Sequence, residues 1–109
     1  MTRFSTLAAL LTSLGLLAAA GTAQASQALA EQKLCLNCHK VDKPQVGPAF
    51  KAVAARYAND KGAVDALAER IQKGSVPLKA NWGAVPMPAN PQVNPAEAKQ
   101  LAAWVLSLK

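Results

Sequence analysis

Cys35-Leu36-Asn37-Cys38-His39 is the stretch that decides the fold. Two thiols separated by two residues and followed at once by an imidazole form the attachment signature of c-type haem. On one helical turn, cysteines three positions apart project toward the same side, so both sulfurs reach the two vinyl groups on one edge of a porphyrin. His39 then falls beneath the ring centre as the proximal iron ligand. Two other uses of a Cys-x-x-Cys pair fit the chain poorly. A structural zinc site takes four ligands, and the sequence holds only two cysteines and one histidine. A thioredoxin-like dithiol domain needs strands alternating with helices, and almost no strand pattern is present.

Upstream of the motif, Met1-Thr2-Arg3 leads into an apolar run from about Leu7 to Ala20 and then Ala23-Gln24-Ala25. This pattern predicts a signal peptide over residues 1–25, cleaved after Ala25. The apolar run is shorter than the ~20 residues of a spanning helix, which argues against an uncleaved anchor. Export suits the motif, because bacterial haem attachment takes place outside the cytoplasmic membrane. Residues 26–109 are left as one domain, too small for a large core, in which a buried planar cofactor serves as the staple. A disulfide between cysteines so close together would constrain the unfolded chain very little.

The formal charge is +6, and loss of Arg3 with the leader reduces it to +5. No basic run is interleaved with aromatics, which leaves nucleic acid without a binding surface. Lys33, Lys40, Lys43, Lys51 and Lys79 are candidates to encircle an exposed haem edge and steer acidic partners, against the plainer reading of a solvated surface.

Downstream of Ser26, good helix formers run to about Asn37 and predict a helix, with Ser26 as N-cap, that delivers the motif. A loop follows, and Gly47-Pro48 is expected to open a second helix with proline at its first position. Phe50, Val53, Ala54 and Tyr57 recur on one helical face, as do Val64, Leu67, Ala68 and Ile71 in a third helix closed by Gly74. Arg70 in that helix is either solvated or a propionate partner, the residues alone favouring the first. From Gly74 to Asn94 the periodicity vanishes and Pro77, Gly83, Pro86, Pro88 and Pro91 predict an ordered irregular loop. Asn94-Pro95-Ala96-Glu97 reads as a capped helix start, with Leu101, Trp104, Val105 and Leu108 as the apolar face that packs across the first helix. Helical signals throughout imply an all-α domain of four to five helices.

The far side of the iron calls for a second ligand. Met87 is the only methionine besides Met1, and in an irregular loop it is the leading candidate over a simple gap-filling role. Pro86 and Pro88 restrict that loop before any bond forms. A thioether favours ferrous iron and fills the sixth position, which suits electron transfer and excludes substrates. A haem enzyme or gas sensor would instead keep that position open. Trp82 either donates its indole N–H to a haem propionate or packs in the core.

These motifs, with Val46-Gly47-Pro48-Ala49-Phe50, Ala68-Glu69-Arg70-Ile71, Trp82-Gly83-Ala84-Val85-Pro86-Met87-Pro88 and Leu101-Ala102-Ala103-Trp104-Val105-Leu106, make the chain resemble the short bacterial class I cytochromes c of the cytochrome c-eight type. The resemblance implies thioethers from Cys35 and Cys38 to one haem c, iron ligation by His39 and Met87, and a Pro48 carbonyl that accepts the other ring N–H of His39. It places Arg70 and Trp82 near a propionate and Asn90 near the methionine sulfur. Residues 75–81 look slightly longer than in the shortest members. The function implied is a soluble, monomeric periplasmic electron carrier without substrate chemistry or stable membrane insertion. Its donor would be a membrane cytochrome complex and its acceptor a reductase, oxidase or photosynthetic reaction centre.

Overall fold

Local capping and apolar periodicity account for most of the architecture. The computed structural model describes residues 26–75, 82 and 85–109. The expected leader at 1–25 and most of the segment between Ser75 and Val85, Lys79 included, lie outside the described residues. Helix α1 covers 26–32, a 3-10 turn follows at Cys35–Asn37, and α2 (Phe50–Arg56), α3 (Ala63–Lys73) and α4 (Pro95–Leu106) complete the order. No strand occurs among the described residues, so the domain is all-α as expected.

Helix α4 is the central element, packing against both α2 and α3. Its start is the capping box read from the sequence: Glu97 N–H donates to Asn94 Oδ1 at 2.8 Å, and Asn94 N–H donates to Glu97 Oε1 at 3.1 Å. Pro95 sits at the first turn, where its missing N–H costs nothing. Ala98, Leu101, Ala102, Trp104 and Val105 are buried along it and join Phe50, Val53, Ala68, Val93 and Ala30 in one core. Fully covered alanines at 30, 98 and 102 let the backbones approach closely. Helix α1 reaches the same element through Gln100, whose amide lies 3.4 Å from Ser26 Oγ. Lys33, just beyond α1, pairs with Glu97 at 3.2 Å.

Three boundaries differ from the sequence reading. The first helix stops short of the motif because Leu34 adopts a left-handed conformation (φ 68°), and the cysteines ride on the 3-10 turn after it. Ser26 is itself helical, so it does not cap α1. Helix α2 begins at Phe50, two residues after Pro48, with Ala49 extended at its N-terminus. The reason lies outside the helix: the Phe50 and Lys51 amides donate to the carbonyls of Lys40 (2.9 Å) and Val41 (3.1 Å). Neighbouring chain thus replaces the side-chain cap that α2 lacks.

Helix α3 ends at Gly74 as expected, with φ 77° and ψ −173°, a region closed to residues with a Cβ. Its Leu67 and Ile71 are only half-buried by protein, because they face a cleft.

Candidate functional site

The 3-10 turn places Cys35 and Cys38 as free, half-buried thiols. His39 N–H and Cys38 N–H both donate to the Cys35 carbonyl, at 3.0 and 3.2 Å, which fixes the histidine directly after the second cysteine. Burial pushes the Cys35 thiol above its ordinary range, and the neighbouring Cys38 adds to the effect while a backbone hydrogen bond opposes it. A reactive redox dithiol depends on a lowered thiol pKa, so the direction at Cys35 opposes that reading.

The imidazole of His39 is held on three sides. Its Nδ1 lies 2.8 Å from the Pro48 carbonyl. A carbonyl can only accept, so Nδ1 carries the proton and the lone pair of the neutral ring resides on Nε2. Phe50 stacks on the ring with centroids 4.8 Å apart and planes 19° apart, and Phe50 in turn meets Trp104 edge-on at 5.5 Å. Against the remaining side lies Gly47, where a Cβ would come 2.5 Å from His39 Cε1. This close approach is a role for Gly47 that the sequence pattern, which marks it only as a turn residue, does not disclose.

His39 and Met87 border the same cleft, which is walled largely by apolar side chains from α2, α3, α4 and the 85–88 segment. An adjoining space brings in Cys35 and shares Cys38, His39 and Met87 with the first. Arg70 and Trp82 stand on the cleft wall. Arg70 makes no ion pair among the described residues. Trp82 carries the Arg56 guanidinium over its ring, 4.6 Å from the centroid. Nothing in the sequence pattern marks Arg56, since the contact joins residues far apart in the chain.

Asn90 borders the adjoining space together with Met87. Its amide donates to the Ile71 carbonyl at 2.7 Å and to the Pro88 carbonyl at 3.4 Å, tying the methionine segment to α3. The lysines also divide. Lys33 is bound to Glu97 and to the Gln92 carbonyl, and Lys51 pairs with Asp42 at 2.6 Å, whereas Lys43 is exposed.

A planar, largely apolar group with an iron centre fits this donor set. Two thiols lie on one turn, an imidazole offers a lone pair, and a thioether borders the same largely apolar space. The family model of cytochrome c matches residues 23–109. The chain belongs to the cytochrome c family. It is 50% identical over 90 residues to cytochrome c-552 of Hydrogenobacter thermophilus, an alignment that covers 83% of this chain and 88% of that protein. With cytochrome c-551 of Stutzerimonas stutzeri it shares 53% identity over 87 residues, 80% of each chain. The crystal structure of wild-type Nitrosomonas europaea cytochrome c552 matches with a TM-score of 0.72 at 44% identity, over 76% of this chain and 99% of that one. The cytochrome therefore carries one covalently bound haem c and works as an electron carrier. Among the described residues, no helix is long and apolar enough to cross a membrane.

Proposed function

We propose that Cys35 and Cys38 would hold the haem as thioethers, that His39 and Met87 would ligate its iron, and that the protein shuttles single electrons in the periplasm. The observation that carries this reading is the shared cleft of His39 and Met87, with His39 Nδ1 committed to Pro48 so that Nε2 is left for iron. Cys35 and Cys38 would hold the haem by addition of each S–H across a vinyl double bond, which is redox-neutral. Bound haem c supplies a ferric/ferrous couple.

The chain's own residues do the rest. Pro48, Phe50 and Gly47 lock the imidazole plane, so little reorganisation accompanies a change of charge. Met87 fills the remaining position with a soft neutral donor, which raises the potential and closes the site to substrates. Arg70 and Trp82 serve the propionate edge of the site. Residues 1–25 direct export, and residues 26–109 are the working domain. The donor is a membrane cytochrome complex, and the acceptor a reductase, oxidase or reaction centre that presents an acidic surface.

Substitution of Met87 tests the ligand set. Haem-loaded Met87→Ala is expected to lose the long-wavelength sulfur-to-iron band of the ferric protein, to fall in reduction potential and to bind carbon monoxide when reduced. Retention of the wild-type band and potential would show that the sixth ligand lies elsewhere.

A further inference from the structure

The segment carrying Met87 is held by the C-terminal end of α3 through more than its flanking prolines. Ser75 is 4% exposed and lies one residue beyond the Gly74 cap. Its hydroxyl oxygen accepts the Met87 N–H at 2.7 Å, and its own N–H donates to the Met87 carbonyl at 2.9 Å. Both backbone polar groups of Met87 are thus engaged by one residue. The same hydroxyl lies 3.4 Å from the Met87 carbonyl. Gly74 lets the strands of this clamp close, since a Cβ there would stand 2.6 Å from the Met87 carbonyl oxygen and 2.7 Å from Ala89 N. A second pair of bonds follows three residues on, where Asn90 N–H donates to Gln72 O at 3.1 Å and Asn90 Nδ2 to Ile71 O.

We propose that Ser75 is the positioning residue of Met87: its buried hydroxyl and amide clamp the Met87 backbone to α3 and so set how readily an external ligand displaces the thioether. The inference rests on Met87 being an iron ligand. A thioether is a weak donor, and its hold depends on how much freedom the chain behind it regains on release. Asn90 and the prolines restrain the segment downstream and on either side, whereas among the described residues only Ser75 engages the amide and carbonyl of Met87 itself. Removing the hydroxyl leaves the half-buried Met87 N–H without its acceptor, a loss that a bound state requiring that geometry bears and a released state escapes.

The test uses the haem-loaded full chain, with imidazole as the competing ligand in the ferric form. Ser75→Ala is expected to keep the sulfur-to-iron band and to bind imidazole about fivefold more tightly, the factor that corresponds to one ordinary hydrogen bond. Glu97→Ala, which weakens α4 at its capping box away from the clamp, serves as the control for general loss of stability and is expected to leave imidazole affinity unchanged. Wild-type affinity in Ser75→Ala, or an equal rise in Glu97→Ala, would overturn the proposal. Amide exchange in the wild-type protein provides a reading that needs no variant: the Met87 N–H should be protected like the amides of α3, and exchange at the rate of an open loop also overturns it. A wild-type protein that lacks the sulfur-to-iron band and is unaltered by Met87→Ala would instead refute the ligand assignment.

Discussion

At position 47 the absence of a side chain serves His39. A methyl group there would stand 2.5 Å from Cε1 and 2.8 Å from Nδ1 of the imidazole. Gly47 cannot retreat easily, because its own N–H donates to the Cys38 carbonyl at 2.7 Å. Gly47→Ala is therefore expected to turn the ring away from Pro48 and to cost ~1–3 kcal/mol, the usual range for overpacking a filled site. Guanidinium unfolding and the ring-proton shifts of His39 in the reduced haem protein check this; unchanged shifts together with wild-type stability would contradict it. The cysteines and His39 were legible because attachment chemistry demands a fixed spacing. Gly47 as a ring contact was not, since close approach is a property of two segments and leaves no periodic trace in either.

Among the elements, the start of α4 was readable to the residue, whereas its end at Leu106, short of the expected Leu108, and the bounds of α1 and α2 were not. The Asn94–Glu97 box is local, built from side chains three positions apart, and needs no tertiary partner to be recognised. The end of α1 follows from the left-handed backbone of Leu34 and the start of α2 at Phe50 from bonds to the Lys40 and Val41 carbonyls, so propensity overruns the first boundary and anticipates the second. Methionine-loop anchoring was likewise only half visible. Prolines announce a stiff loop, but the bonds from Ser75 and Asn90 to it depend on how α3 lies beside it. The capping box also predicts a pH response. The Asn94 backbone bond, and then Lys33, hold the Glu97 carboxyl below its ordinary value of 4.5. A depressed folded-state value adds stability above the ordinary carboxylate range, and that contribution is lost as pH falls through the depressed value. Glu97→Gln is expected to be less stable than wild type at neutral pH, with the gap narrowing as pH drops below 4.5. Unfolding midpoints across that range measure it, and a gap independent of pH would contradict the linkage.

For the whole molecule, the formal charge of +6 is not spread evenly over free lysines. Lys33 is tied to Glu97 and Gln92, Lys51 is neutralised by Asp42, and Lys40 lies 3.4 Å from the Leu36 carbonyl. Lys43 is the exposed cation of the described candidates that makes no ion pair among the described residues. Lys43→Glu is expected to slow electron transfer to an acidic redox protein at low salt, with the difference disappearing near ~1 M salt, where screening acts within about 3 Å. Lys33→Ala should lower the unfolding midpoint more than the transfer rate. Equal rates for wild type and Lys43→Glu at low salt would remove Lys43 from the docking surface. At this scale the central claim is a haem closed on both faces by His39 and Met87 and given over to carrying electrons. Its most direct test is the visible spectrum of the reduced, haem-loaded wild-type protein before and after addition of carbon monoxide. Sharp c-type bands that do not change on addition are the predicted result. A rapid shift to a carbon monoxide adduct in the native protein would contradict the account and point to an open iron site.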